Sequence, residues 1–493
     1  MALTSAVVSG AAWTISMGVG ARILALVGTV MLTHYLSLDV QGEVSNAFAI
    51  LMTAQWATCG MAPYLTAKPD SGPEVAWNVV AVHMLTGLLF VGAAALVAVF
   101  AGPLLQAPGM ARYAPGFAVV VLLFRFNQLL ERIVSRKLDF RTIGIARGAS
   151  ETASAVAAVG AAAFGAGGMA VVYGALTRGL VTFSLLLPKA ELRTTLKPSP
   201  LRWSILLPVV HFAVPLGGSG LLTAITRRWD NLLLSSRFGA AVAGAYNSAY
   251  NLADVPALQV GEQIGDVLLP SFARMKPEER RVAVVHATGL LALVVFPLAM
   301  GLGAVADSAV RALLHPSYWV MVSPMLAILA SMSVTRPINT TIVAPYLEAC
   351  GSTRPIFVLA VVELVLLFSS LYFLGRPSWL WACYAVAFAF VVHAVFSLWL
   401  LQKFDSISMR AMLGELLPVL LACVPMVGAV LLVRQAFLRA GLELYAVRMA
   451  AEVVAGGLAY VAAALVVARR SSQKLIGFVR EALARRRGQR SEA

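Results

Sequence analysis

Residues 227–275 read RRWDNLLLSSRFGAAVAGAYNSAYNLADVPALQVGEQIGDVLLPSFARM and place charged side chains within long apolar runs. Part of this stretch repeats an earlier pattern. When LTHYLSLDVQGEVSNAFAILM, which begins at Leu32, is aligned with LSSRFGAAVAGAYNSAYNLAD, which begins at Leu234, Gly42 pairs with Gly244. The repeat predicts that the second half of the chain is built like the first.

The composition predicts that most of the chain lies in lipid. Of the 493 residues, 60% are hydrophobic and 12% are charged, and the mean hydropathy is +0.83. A soluble domain is about one half apolar and about a quarter charged. Apolar runs of about 20 residues, which is the length that crosses a bilayer, recur about fourteen times. We therefore predict an all-α integral membrane protein with about 14 transmembrane helices.

The repeat and the linker predict how these helices are arranged. An even number of helices in each repeat keeps the two halves parallel, as in transporters built from two bundles of six helices. The linker KAELRTTLKPSPLR is rich in proline and charge. The predicted segments are an N-terminal six-helix bundle (1–188), a cytoplasmic linker (189–202), a C-terminal six-helix bundle (203–402), two additional transmembrane helices (403–468) and a basic tail (469–493).

The net charge of +15 has a distribution typical of a membrane protein. Most Lys and Arg residues fall in alternate loops and in the tail, which predicts that both termini are cytoplasmic in the inner membrane. The tail is either an amphipathic helix on anionic lipid or a simple charged anchor. A nucleic-acid binder would gather its cations on one face, so we expect no nucleic-acid partner. The outward loops hold Arg112, Arg237, Arg311, Arg376, Arg434, Arg439 and Arg448.

Three stretches resemble the Wzx-type polysaccharide flippases, in the superfamily that also contains lipid II flippases and MATE drug exporters. The first is FGAAVAGAY, a tyrosine-rich helix containing Pro256, and VLLPSFARM. The others are FRTIGIARGASETASAVAAVGAAAFGAGGMAVVYG, and HPSYWVMVSPMLAILA followed by EACGSTRPI. The resemblance implies a flippase that moves polyprenyl-pyrophosphate-linked saccharide repeat units to the periplasmic leaflet for exopolysaccharide, O-antigen or capsule synthesis. It also implies a partnership with the polysaccharide polymerase and co-polymerase machinery.

Arginines within the predicted spans are the candidate substrate-binding residues. A charge near the bilayer centre costs about 2.5–3.5 kcal/mol on insertion scales, so such residues face a watery interior or a partner. They either line a cavity that accepts an anion or pair with acids on other helices. Arg147 has Glu151 one turn away, which is close enough to pair. The candidates are Arg22, Arg125, Arg147, Arg178, Arg228 and Arg336.

Polar residues of the later helices are candidates for coupling and gating. Asp254 lies beside Pro256, which is expected to allow a bend. Asp254 either neutralises an arginine, carries a coupling proton or has a structural role. The candidates are Asp254, Asp230, Glu363 and Asn251, with H⁺ or Na⁺ as the coupling ion. Neither the histidines nor the cysteines have metal-site spacing, so we expect no metal or other cofactor.

Two other classes of function remain open. A lipid II flippase or a MATE-type drug or ion antiporter would share the fold, although an exporter of cationic drugs would need acidic rather than basic groups in its cavity. A membrane-embedded polymerase or ligase would need a large outward loop with catalytic polar groups. The longest predicted outward segments, 306–318 and 434–447, are short and poor in such groups.

Overall fold

The computed structural model describes residue 20 and residues 24–56, 61–67, 72–137, 139–192, 196–469 and 471–473. Every regular element in these ranges is helical. The α-helices, numbered along the chain after the helical residues 24–32, are α1 (Leu38–Trp56), α2 (Met61–Ala67), α3 (Pro73–Phe100), α4 (Ala114–Arg136), α5 (Phe140–Ala163), α6 (Met169–Ala190), α7 (Trp203–Phe238), α8 (Ala240–Arg274), α9 (Pro277–Leu313), α10 (Trp319–Met332), α11 (Ala344–Ala349), α12 (Thr353–Phe373), α13 (Trp379–Asp405), α14 (Met409–Arg439) and α15 (Tyr445–Val467).

Most of these helices have the length and apolarity of membrane spans. Within the described residues, nine helical segments are long and apolar enough to cross a membrane. Helices α4, α5 and α8 are not among them, although their 23, 24 and 35 residues are long enough. At about 1.5 Å per residue, each can cross about 30 Å of hydrocarbon. The prediction of an all-α membrane protein is confirmed, and the three more polar long helices carry the candidate residues Arg125, Arg147 and Asp254.

The described structure divides into two compact units, Met1–Asn247 and Ser248–Ala493, and the boundary falls within α8. In the first unit, fully buried Phe117 belongs to an apolar cluster formed by α1, α3, α4 and neighbouring segments. In the second unit, fully buried Ile342 belongs to a cluster that extends through α9, α13 and α14. The division into bundles at residues 188 and 203 stays a prediction.

The two repeated glycines lie where the N-terminal turns of α1 and α8 approach each other in the first unit. A Cβ atom on Gly42 would lie 1.9 Å from the carbonyl oxygen of Ala240. A Cβ atom on Gly244 would lie 2.2 Å from the carbonyl oxygen of Leu38. Both positions therefore require glycine, because any side chain would overlap the facing backbone. The sequence repeat thus corresponds to a reciprocal backbone contact.

The main departure from α-helical geometry in the described residues does not lie at Pro256, where the sequence suggested that a helix could bend. Helix α8 continues as one helix through residue 256. The interruption instead follows α10, where a 3-10 turn at Ser333–Thr335 and a π-helical segment at Ile338–Val343 precede α11. Arg336 lies between these two segments. Such departures from α-helical geometry are frequent at functional positions.

Candidate functional site

Four charged side chains form an alternating series across α4, α5 and α6 in the first unit. Arg147 on α5 pairs with Glu131 on α4, and Glu151 on α5 pairs with Arg178 on α6. The predicted pairing of Arg147 with Glu151 along α5 is therefore replaced by pairing between helices. The side chain of Arg178 is 47% exposed. Because exposed charges are unfavourable in hydrocarbon, this series is expected to face water.

Arg125 lies in the interior of the first unit. Its guanidinium is fully buried and donates hydrogen bonds to the carbonyl oxygens of Gln55 (3.1 Å) and His83 (2.7 Å). Gly87 leaves space for it, since a Cβ atom there would lie 2.1 Å from the guanidinium Nε. Arg125 thus connects α4 with Gln55 of α1 and with His83 of α3.

Arg228 and Asp230 lie near the C-terminal end of α7 and make different contacts. The guanidinium of Arg228 is 4.9 Å from the ring centroid of Phe48. Asp230 is fully buried, and its carboxylate accepts a hydrogen bond of 2.7 Å from the Tyr246 hydroxyl group. This hydrogen bond joins α7 to α8 within the first unit.

Arg336 and Asp254 form an ion pair in the second unit. The guanidinium of Arg336 lies 5.0 Å from the ring centroid of Tyr250 and 4.8 Å from that of Phe390. Its side chain is 8% exposed, whereas that of Asp254 is 23% exposed. The prediction left open whether Asp254 neutralises an arginine, and the structure shows this contact.

Two further polar groups lie near this pair. Glu363 on α12 interacts electrostatically with Arg336 and with His393 on α13. His393 is buried, and its Nε2 atom lies 3.1 Å from the carbonyl oxygen of Leu359, one turn before Glu363. Asn251 on α8 is exposed. The structure thus places Asp254 in contact with Arg336, and Glu363 interacts electrostatically with Arg336 and with a histidine that was not a candidate from the sequence.

Comparison with known proteins identifies the family of this chain. A family model described as "Polysaccharide biosynthesis protein" matches residues 32–323. The chain belongs to this family. The polysaccharide biosynthesis family member is 24% identical over 347 residues to the lipopolysaccharide biosynthesis protein WzxC of Escherichia coli (strain K12), covering 69% of this chain and 70% of WzxC. It is 26% identical over 360 residues to the succinoglycan biosynthesis transport protein ExoT of Rhizobium meliloti (strain 1021), covering 72% of this chain and 71% of ExoT.

A solved structure shows the same fold. The lipid II flippase MurJ in an inward closed conformation superposes with a TM-score of 0.74 at 13% identity, covering 92% of this chain and 99% of MurJ. At this identity the likeness concerns the fold alone. The sequence-based assignment to the Wzx-type polysaccharide flippases is confirmed by the family match and by the relatives.

A charge network in α9, α14 and α15 was not predicted from the sequence. Arg434 and Arg448, which were expected in an outward loop, lie within helices and both contact Glu452. Arg448 also pairs with Asp307 at 2.6 Å. Arg448 and Glu452 are buried, and their spacing of four residues is the sequence signal that could have indicated a pair. The network fixes the two C-terminal helices to α9.

Some predicted features of this family member lie outside the described residues. One of these features is Arg22. The other is the basic tail at 469–493, of which only residues 469 and 471–473 are described. In the part of the chain that the structure describes, no group of His, Cys, Asp and Glu residues could hold a metal ion.

Proposed function

We propose that this protein is a flippase that carries polyprenyl-pyrophosphate-linked saccharide repeat units from the cytoplasmic to the periplasmic leaflet. It would serve the synthesis of exopolysaccharide, O-antigen or capsule. The family match supports this proposal, as do two relatives whose names refer to lipopolysaccharide biosynthesis and succinoglycan transport. The fold shared with a lipid II flippase is suited to moving a lipid-linked head group.

The observation that carries the proposal is the set of arginines on helices of membrane-spanning length. Arg147 and Arg178 are partly exposed, and Arg336 lies in an aromatic site. The guanidinium group stays protonated and can donate two hydrogen bonds to one phosphate or carboxylate group. Such side chains suit an anionic head group such as a pyrophosphate, with or without acidic sugars.

The residues of the chain would act by binding and release. In the proposed cycle, arginines including Arg178 hold the head group while the polyprenyl tail stays in lipid. Rearrangement of the helical bundles then exposes the head group to the other side. An H⁺ or Na⁺ gradient would reset the cycle, with Asp230, Asp254, Glu363 and Asn251 as the candidate coupling residues.

The proposed location is the bacterial inner membrane with both termini in the cytoplasm. The concentration of Lys and Arg in alternate loops supports this orientation. The basic tail would contact anionic lipid, and the released repeat unit would pass to the polysaccharide polymerase machinery. No nucleic acid takes part in this process.

The alternatives fit the described structure less well. A carrier of cationic drugs needs accessible acids, whereas in the pairs Arg147–Glu131 and Arg178–Glu151 the arginine is the more exposed partner. A polymerase or ligase needs a large outward loop. The segments 306–318 and 434–447 are largely helical, because α9 continues to Leu313 and α14 continues to Arg439.

Complementation of a strain that lacks this gene tests the proposal. The variant Arg178→Gln should reduce surface polysaccharide and cause the lipid-linked saccharide to accumulate in the cytoplasmic leaflet. Loss of a hydrogen bond to a charged group costs about 1.5–3 kcal/mol, so export should fall by about one to two orders of magnitude. Arg178→Lys should retain more activity. The control Arg376→Gln removes a cation that is stacked on Tyr372 outside the charged series. Normal export by Arg178→Gln at normal protein levels would refute the assigned role.

A further inference from the structure

The Arg336 site has the features of an anion receptor that already contains an anion. Rings of Tyr250 and Phe390 lie near the guanidinium, which orients this flat group. One guanidinium nitrogen donates to the carboxylate of Asp254. Carboxylate and phosphate oxygens accept the same hydrogen bonds from arginine.

We propose that Asp254 occupies the Arg336 site as an internal substitute for the cargo anion, and that the diphosphate of the cargo binds by displacing this carboxylate. This inference rests on the proposed function, because the diphosphate is taken from the proposed cargo. It assigns Asp254 a regulatory role at the site: the carboxylate closes the site when it is empty and competes with the bound diphosphate during release.

An exchange of anions needs the carboxylate to be more accessible to water than the arginine, and the pair has this arrangement. Arg336 is almost enclosed, whereas Asp254 is the more exposed partner. Simple opening of the pair would leave a poorly solvated cation without compensation, which is strongly unfavourable. Replacement of one anion by another avoids this state. Glu363 adds a longer-range attraction but does not replace the direct contact.

The exchange requires movement of a side chain rather than of the helix. Helix α8 is packed against the π-helical segment at Gly261, where a Cβ atom would lie 2.8 Å from the Thr341 hydroxyl oxygen. This contact keeps the backbone of α8 close to the segment that follows Arg336. In the proposed exchange, the Asp254 side chain rotates away and frees the guanidinium edge of Arg336.

Binding measurements on the purified full chain test the exchange. The probes are farnesyl diphosphate, inorganic pyrophosphate and, as an uncharged control, farnesol. Asp254→Asn should bind farnesyl diphosphate at least about tenfold more tightly than the wild type, which is the expected factor if the carboxylate closes the site for about nine tenths of the time. Pyrophosphate should show the same gain if the diphosphate alone is recognised, whereas farnesol should show none.

Two control variants separate exchange from a structural role. Arg336→Gln should abolish the gain when it is combined with Asp254→Asn. Glu452→Gln removes a buried carboxylate elsewhere in the second unit and should not increase affinity. Asp254→Asn should also melt at a lower temperature without ligand and show a larger upward shift with farnesyl diphosphate, because the ligand restores the missing anion.

The outcomes distinguish this inference from the proposed function. If wild-type protein moves lipid-linked saccharide in proteoliposomes but Asp254→Asn binds farnesyl diphosphate no more tightly than wild type, the exchange is refuted and the function stands. If Asp254→Asn binds more tightly but wild type moves no saccharide, the exchange stands for a different anionic cargo. In a working flippase, Asp254→Asn should lower both the KM and the kcat, whereas a purely structural defect would not lower the KM.

Discussion

Replacement of Gly42 by alanine should weaken the contact between the N-terminal turns of α1 and α8. The new Cβ atom would lie 1.9 Å from the carbonyl oxygen of Ala240, whereas ordinary contacts begin at 3.4 Å. The two backbones would therefore have to separate by about 1.5 Å. Overpacking of this kind costs about 1–3 kcal/mol, against a gain of about 1 kcal/mol in helix propensity. We expect a net loss of stability.

Thermal unfolding of purified protein in detergent measures this effect. Gly42→Ala and Gly244→Ala should each lower the Tm by several degrees, since about 1 kcal/mol corresponds to about 2–4 °C in units of this size. Gly92→Ala in α3 is the matched control, because no atom lies within 4 Å of its added Cβ atom. It should leave the Tm unchanged or raise it. If Gly42→Ala were as stable as Gly92→Ala, the close backbone contact would not exist.

Two further predictions concern stability. Glu452→Gln should destabilise the second unit by on the order of 3 kcal/mol, because the variant leaves Arg434 and Arg448 without their shared carboxylate; an unchanged Tm would contradict the charge network. Asp139→Ala should cost about 1 kcal/mol at pH 7, because Asp139 caps α5 by accepting from the Thr142 backbone N–H at 3.1 Å. The hydrogen bond from the Thr142 hydroxyl group holds the pKa of Asp139 below its usual range. The stabilisation that ionised Asp139 gives to the folded state is therefore present above its unfolded-state pKa and is lost as the pH falls through its folded-state pKa. The Tm difference from wild type should therefore shrink on acidification towards pH 3, and a gap that widens would contradict this assignment.

The helical membrane fold was predictable because its cause lies in local composition. Apolar runs of sufficient length must form helices in a bilayer, since the backbone has to satisfy its own hydrogen bonds. The glycine repeat also predicted a structural correspondence between the two halves. The facing backbone lies too close to Gly42 and Gly244 for any residue with a side chain to fit. The interruption around Arg336 was not predictable, because the choice between α-, 3-10 and π-helical geometry depends on packing between helices.

The charged site was predictable in its residue types but only partly in its partners. Sequence spacing suggested that Arg147 pairs with Glu151, but long side chains reach equally well to neighbouring helices, and Glu131 and Arg178 become the partners. Arg448 was interpreted as a loop cation because it lies at the edge of the last predicted apolar run. The burial of this residue depends on a carboxylate from another helix, which a hydropathy window cannot detect.

The most direct test of the central claim is transbilayer movement of a polyprenyl-pyrophosphate-linked saccharide in proteoliposomes that contain only this protein. A membrane-impermeant glycosidase added outside digests the saccharide in the outer leaflet. We expect the protein to let digestion proceed beyond the outer-leaflet fraction towards completion, and Arg178→Gln to slow this process. The contrary result is digestion that stops at the level of protein-free vesicles although the protein is folded and an H⁺ or Na⁺ gradient is imposed. It would contradict the proposed flippase function.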